Sequence, residues 1–77
     1  MIDVVVLSAK DLLFNGPATH VIMPGEAGVF EVLAFHRPLV SRLLPGNIII
    51  DRKYIPIRRG MVRVEQDTVT AIVEPES

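Results

Sequence analysis

Apolar and polar residues alternate over much of the chain. Ile2, Val4 and Val6 share one phase, Ile55 and Ile57 alternate with Tyr54, Pro56 and Arg58, and Val62 and Val64 alternate with Arg63 and Glu65. Val69, Ala71 and Val73 alternate with Thr68 and Thr70 in the same way. A period of two puts successive side chains on opposite faces, so each segment predicts a half-buried β-strand. Ile48-Ile49-Ile50 is a short β-branched run, which predicts a strand covered on both faces. Turn signals lie between these segments at Asn15-Gly16-Pro17, Pro24-Gly25, Pro45-Gly46-Asn47, Arg59-Gly60 and Gln66-Asp67. Strand and turn recurring at this interval predict a small all-β sandwich or barrel. Pro56 has no amide hydrogen to give a ladder, so it belongs at an edge, at a bulge or where its position faces solvent. Glu31 to Arg37 holds good helix formers, but no capping residue precedes it and Pro38 biases Arg37 away from helix. A strand ending in a turn fits that segment better.

Length allows one modest core, because a chain of this size buries only about 60% of its unfolded surface. Residues 1–77 are therefore expected to form a single domain, without internal repeats, low-complexity tracts or a linker. There is no cysteine, so packing rather than disulfides or thiolate-bound zinc must hold the fold. Apolar residues make up 49% and charged residues 22% of the chain, which argues against disorder. Runs such as Val4-Val5-Val6-Leu7 are too short to cross a bilayer, and Met1-Ile2-Asp3 lacks a basic signal-peptide start, so a cytoplasmic location is expected. Net charge is only −1, but its distribution is uneven. From Arg37 to Arg63 lie Arg37, Arg42, Arg52, Lys53, Arg58, Arg59 and Arg63 against the single acid Asp51. The rest of the chain sets Lys10 against eight acids. Such a basic segment either binds phosphate, nucleic acid or an acidic protein, or is a solvated face that keeps a sheet soluble.

Catalytic chemistry finds little support. His20 and His36 stand 16 residues apart with no cysteine and no helical His-x-x-x-His spacing, so no metal site is expected. Neither Ser8 nor Ser41 lies in a glycine-flanked strand-turn-helix elbow. Pro24-Gly25-Glu26-Ala27-Gly28 lacks the Gly-Lys-Ser/Thr of a phosphate loop and runs into Val29-Phe30, which starts a strand, so it is a tight turn. No catalytic residue and no cofactor are expected.

Met23 to Gly46 carries another message. Pro-Gly-x-x-Gly-x-Phe, Val-Leu, His-x-Pro-Leu and Leu-x-Pro-Gly follow one another without a gap. This ordered set resembles the N-terminal domain of the epsilon subunit of F-type ATP synthases. The resemblance extends over the whole chain: a first strand at Ile2 to Leu7 precedes Phe14-Asn15-Gly16, in place of the family's Phe-x-Gly. The family's Pro-Gly-His-Ala-Pro-Leu falls on Ala34-Phe35-His36-Arg37-Pro38-Leu39, and its Gly-Gly-x-x-x-Val on Arg59-Gly60-Met61-Val62-Arg63-Val64.

The resemblance implies a flattened barrel of about ten short strands packed as two sheets. It also implies a non-catalytic rotor subunit of the central stalk, coupling proton or sodium flow to the nucleotide sites at the cytoplasmic face of the bacterial inner membrane. Gamma and the ring of c subunits would be its direct partners, with alpha and beta indirect ones. The c-ring contact would use Gly25, Glu26, Ala27, Gly28, Val29 and Phe30, and the gamma contact Phe35, His36, Arg37, Pro38, Leu39 and Ser41. Family members typically add a C-terminal helical hairpin, and a short form without that domain is expected here.

The chain departs from the family's pattern at Glu31, where glycine is common, at Ala34-Phe35 in place of Pro-Gly, at Arg37 in place of a small residue, and at Arg58-Arg59. A different turn is therefore expected at Ala34-Phe35. His36 serves either to cap a turn or to meet a partner, and Phe35 is either core or an interface anchor. The alternative function is a small nucleic-acid-binding barrel. It lacks the several aromatics that such barrels set among their basic residues, since only Tyr54, with Phe35 at the border, lies near Arg52, Lys53 and Arg58.

Overall fold

The computed structural model describes residues 1–76, and strands are its only regular elements. They are β1 (Ile2–Leu7), β2 (Leu12–Ala18), β3 (Val21–Gly25), β4 (Gly28–Val32), β5 (Leu39–Leu43), β6 (Gly46–Ile50), β7 (Lys53–Glu65) and β8 (Thr68–Pro75). The long strand β7 organises them. Its first half, Lys53 to Ile57, pairs with β6, and its second half, Gly60 to Val64, pairs with β5. A register shift between Ile57 and Arg59 separates the halves, as expected of a bulge that bends a strand from one sheet into another. One layer thus runs β4-β3-β6-β7 and the other β5-β7-β8-β1-β2, joined again where Gly25 of β3 meets Leu43 of β5. All neighbours are antiparallel except β1 and β8. The molecule measures 32 × 26 × 20 Å, and its short axis fits two sheets about 10 Å apart with side chains outside them.

The predicted alternation is the observed burial. Ile2, Val4, Val6, Ile55, Ile57, Val62, Val64, Val69, Ala71 and Val73 all point into one core, with Ala18, Val21, Met23, Val32, Leu43, Ile48 and Ile50. No polar or charged side chain among the described residues is buried with them. Only the backbone groups there need hydrogen-bonding partners, and the strand ladders supply them.

Eight strands stand where the resemblance implies about ten, and two predicted turns are strand interior. Asn15-Gly16-Pro17 lies within β2. That strand pairs only with β1, so Pro17 leaves no ladder bond unmade at the free edge. Arg59-Gly60 lies within β7, where a Cβ on Gly60 would stand 2.6 Å from the Ile72 carbonyl oxygen. Here glycine marks the close approach of β8 rather than a turn. Ile48-Ile49-Ile50 is also less enclosed than expected, with Ile49 only half-buried between two buried neighbours. Pro56 is exposed, the solvent-facing option of the three.

One turn gave no strong sequence signal. Asp51-Arg52 joins β6 to β7, with Asp51 at φ 53°, a conformation that aspartate tolerates better than most residues. Its Oδ1 accepts the backbone N–H groups of Thr19 at 3.1 Å and His20 at 3.2 Å, and its own N–H donates to the His20 carbonyl at 3.2 Å. This turn ties the β2–β3 corner to the β6–β7 hairpin.

Candidate functional site

The β3–β4 hairpin presents the first expected docking segment. Gly25 pairs with Gly28, leaving Glu26 and Ala27 exposed at the tip. Gly28 adopts φ 123°, which a residue with a Cβ rarely takes. Val29 follows on the outer face, 74% exposed. The ends of the segment face elsewhere: Gly25 is buried, and Phe30 is half-buried against the core. The surface available to a partner is thus Glu26 to Val29, and the other two residues hold the hairpin.

Leu33 to Pro38 forms the second segment. His36 N–H donates to the Leu33 carbonyl at 3.2 Å, closing a turn in which Phe35 has φ 65°. Positive φ at that third position is a type II feature, which Pro-Gly at the two central positions favours. Ala34-Phe35 therefore keeps the backbone sign that Pro-Gly would give, contrary to the expected change of turn. The Phe35 ring is 92% exposed, which excludes its core reading. His36 is half-buried, with Nδ1 2.6 Å from the Arg37 carbonyl oxygen, so it does bond local backbone. Arg37 and Pro38 are exposed, Leu39 packs against the core, and Ser41 donates from Oγ to the Arg42 carbonyl at 2.9 Å.

The two segments sit at opposite ends of β5. That strand leaves the Phe35 turn at Leu39, paired with Val64, and reaches Leu43 beside Gly25. Four strand steps separate Leu39 from Leu43, or roughly 13 Å.

Between the ends lies a surface not singled out in the sequence. Arg42 pairs with Met61, Met61 with Ile72, Ile72 with Leu7, and Leu7 with Leu12. Directly opposed residues share a face, so these side chains form one row across the outside of the sheet. Met61, Ile72 and Leu12 are exposed along it, and Val40 is exposed nearby on β5. Val40, Met61 and Ile72 line a shallow groove with Arg63, Glu65 and Thr70. A signal for it was present: Met61 and Ile72 fall in the polar phase of their strands, between Arg59 and Arg63 and between Thr70 and Glu74.

The basic segment is partly neutralised. Arg59 Nε lies 2.8 Å from Glu74 Oε2, Arg58 3.9 Å from the other Glu74 oxygen, and Arg63 3.2 Å from Glu65 Oε2. Glu74 thus reaches Arg58 and Arg59 from the neighbouring strand β8, while Glu65 pairs with Arg63 two residues away on β7, and ion pairs at such exposed positions contribute little stability. Lys53 Nζ stands 5.5 Å over the Phe14 ring. His20 and Asp51 approach to 3.5 Å, but no group of three histidine, cysteine or acidic residues converges on a metal-sized site among the described residues.

Comparison with known proteins agrees with this architecture. Residues 1–75 match the family model described as ATP synthase, Delta/Epsilon chain, beta-sandwich domain. The ATP synthase epsilon chains of Bordetella parapertussis and Bordetella bronchiseptica are each 36% identical over 74 residues, covering 90% of this chain and 53% of the relative. The chain thus spans about half the length of these curated relatives. In solved structures the fold is similar to a chain of the Tetrahymena thermophila mitochondrial ATP synthase central stalk and c-ring, with TM-score 0.83 and 13% identity over 95% of this chain and 63% of the other. It is also similar to a chain of the Euglena gracilis mitochondrial ATP synthase OSCP/F1/c-ring assembly, with TM-score 0.84 and 20% identity over 94% and 49% respectively. With an all-β sandwich, an ordered Met23–Gly46 motif and a family match over nearly its whole length, the chain belongs to the ATP synthase delta/epsilon chain family and carries that family's beta-sandwich domain.

Proposed function

We propose that this chain is a non-catalytic central-stalk subunit of an F-type ATP synthase, coupling ion flow to ATP synthesis by docking between two partners. The exposed tip Glu26 to Val29 meets the c ring. The Phe35–Ser41 segment meets gamma, with the neighbouring apolar row of Met61, Ile72 and Leu12 as its continuation. Alpha and beta are indirect partners, and the site of action is the cytoplasmic face of a bacterial inner membrane.

The observation that carries this reading is the family match together with two exposed segments at opposite ends of one strand. A subunit that links two bodies needs two separate surfaces, and the two exposed segments at opposite ends of β5 support that reading. The exposed apolar row supports it further, since a contiguous apolar patch on a small soluble domain marks an interaction site. The nucleic-acid alternative has only the basic segment in its favour, since Tyr54 is the one aromatic between Arg37 and Arg63.

The test is affinity capture of the tagged chain from membranes of its own cell. Gamma, alpha, beta and c subunits are expected in constant ratio. Reproducible recovery without gamma, or salt-sensitive recovery of nucleic acid instead, overturns the assignment.

A further inference from the structure

Among the described residues, Phe35, Asp51, Gln66 and Asp67 adopt positive φ without being glycine. Asp51 turns the β6–β7 hairpin, and Gln66 and Asp67, at φ 48° and 58°, turn the β7–β8 hairpin. A two-residue hairpin turn of type I′ requires positive φ at both central positions, so the turn itself selects the backbone of that last pair. Phe35 alone lies outside a hairpin, in the loop between β4 and β5, at φ 65°. That region is unfavourable for a bulky side chain. With its ring 92% exposed, Phe35 gains no burial in return.

What opposes the strain is a bond from a distant turn. Phe35 N–H donates to Asp67 Oδ1 at 2.7 Å, across 32 positions of sequence. The distance is that of a charge-assisted hydrogen bond. Among the described residues it is the only hydrogen bond tying Ala34 to Arg37 to another element. The others stay inside the loop, where His36 N–H donates to the Leu33 carbonyl at 3.2 Å and His36 Nδ1 lies 2.6 Å from the Arg37 carbonyl oxygen. Asp67 is held on its far side as well, because its backbone carbonyl accepts the Asp3 N–H at 2.9 Å. The loop is thereby moored through one carboxylate to a turn that is itself fixed to the start of β1.

We infer that the Asp67 carboxylate is a clasp, holding the β4–β5 loop against the β7–β8 turn in a strained conformation that the loop leaves once the clasp is removed. The state of the clasp sets where the exposed Phe35 ring stands. It is a property of the free chain and stands apart from the stalk assignment. The bond to Phe35 needs the Asp67 side chain, whereas the bond to Asp3 needs only its backbone, so substitution separates the two. Asp67→Gly removes the carboxylate and keeps the turn, since glycine takes positive φ freely. Asp67→Asn keeps an acceptor oxygen and tolerates the same φ.

The experiment is nuclear magnetic resonance of the full chain, reading amide hydrogen exchange at Phe35 and Asp3 and the intraresidue HN–Hα cross-peak of Phe35, which left-handed backbone makes strong. In wild type the Phe35 amide is expected to be protected and its cross-peak strong. In Asp67→Gly its exchange is expected to accelerate about tenfold or more, the factor that one bond to a charged acceptor supplies, and the cross-peak to weaken. The Asp3 amide should keep its wild-type rate in the same variant, which reports an intact turn. Asp67→Asn should leave Phe35 closer to wild type than Asp67→Gly does. A Phe35 amide that keeps its wild-type rate and cross-peak in Asp67→Gly overturns the clasp, as does a wild-type amide without protection. Equal loss of protection at Asp3 and Phe35 in both variants overturns it too, since Asp67 would then be part of its own turn and not a hold on the loop.

Discussion

At the scale of the residue, Asp51 shows how much structure one carboxylate can organise. It takes an unusual backbone conformation and accepts two amide hydrogens from a distant corner of the chain. Asp51→Ala removes both acceptors and places alanine at positive φ, so a loss of about 1–2 kcal/mol is expected, comparable to loss of a helix cap. Asp51→Asn keeps an acceptor oxygen and tolerates the same φ, so its loss should be less than half as large. Urea denaturation of the two variants beside wild type decides the matter; equal midpoints for all three would mean that solvent replaces these bonds without cost. The contrast with Phe35 is instructive. Both residues adopt positive φ, but Asp51 is compensated by bonds inside the fold, whereas the Phe35 ring gains nothing there.

At the scale of the element, β7 does the work of two strands, and Gly60 is where it must accommodate β8. A Cβ there would stand 2.6 Å from a backbone oxygen and 2.8 Å from the Val73 side chain. Backbone cannot rotate out of the way as a flexible side chain can, so Gly60→Ala is expected to cost about 1–3 kcal/mol, the range for overpacking. Thermal unfolding by circular dichroism checks it; an unchanged midpoint would mean that β7 and β8 can part locally at the bulge without cost. The same position explains what the sequence disclosed and what it withheld. Alternation located the inward residues of β1, β7 and β8 because burial depends on one face of each strand, which a period of two records directly. It did not separate a glycine that makes a turn from one that admits a neighbouring backbone, since both leave the same residue in the chain. Arg59-Gly60 and Asn15-Gly16-Pro17 carry turn signals for that reason, yet both lie inside strands. The Asp51 turn lacked a glycine or proline and passed without notice. Within the candidate site, the loops of Met23 to Gly46 were legible from turn residues and motif order. Burial of Gly25 and partial burial of Phe30 depend on how the hairpin folds back, and the apolar row depends on pairing between strands distant in sequence. Neither is written in a single segment.

At the scale of the whole molecule, two proposed contacts at opposite ends of β5 make a mechanical prediction. A subunit that couples one body to another must transmit load through its own core, and an interior in which no described polar or charged side chain is buried would act as a rigid spacer at the packing density usual for protein cores. Ala27 lies exposed at one end in the β3–β4 turn, and His36 is half-buried at the other beside Arg37. Ala27→Arg removes no core contact, so its unfolding free energy should stay within about 0.5 kcal/mol of wild type. At a packed interface the same change introduces bulk and an unpaired charge, which costs about 2 kcal/mol or more, near thirtyfold in affinity. His36→Ala should weaken the gamma end instead, and with no shared partner the two effects on binding should be nearly additive in the double variant. Coupling is therefore expected to fail before folding does. Thermal midpoint and ion pumping measured for each variant in assembled enzyme provide the check: reduced pumping at unchanged midpoint in Ala27→Arg supports docking at the tip. Normal pumping in both variants, each fully incorporated, would make Met23 to Gly46 scaffold and leave the apolar row of Met61, Ile72 and Leu12 as the remaining surface through which the sandwich could grip its partners.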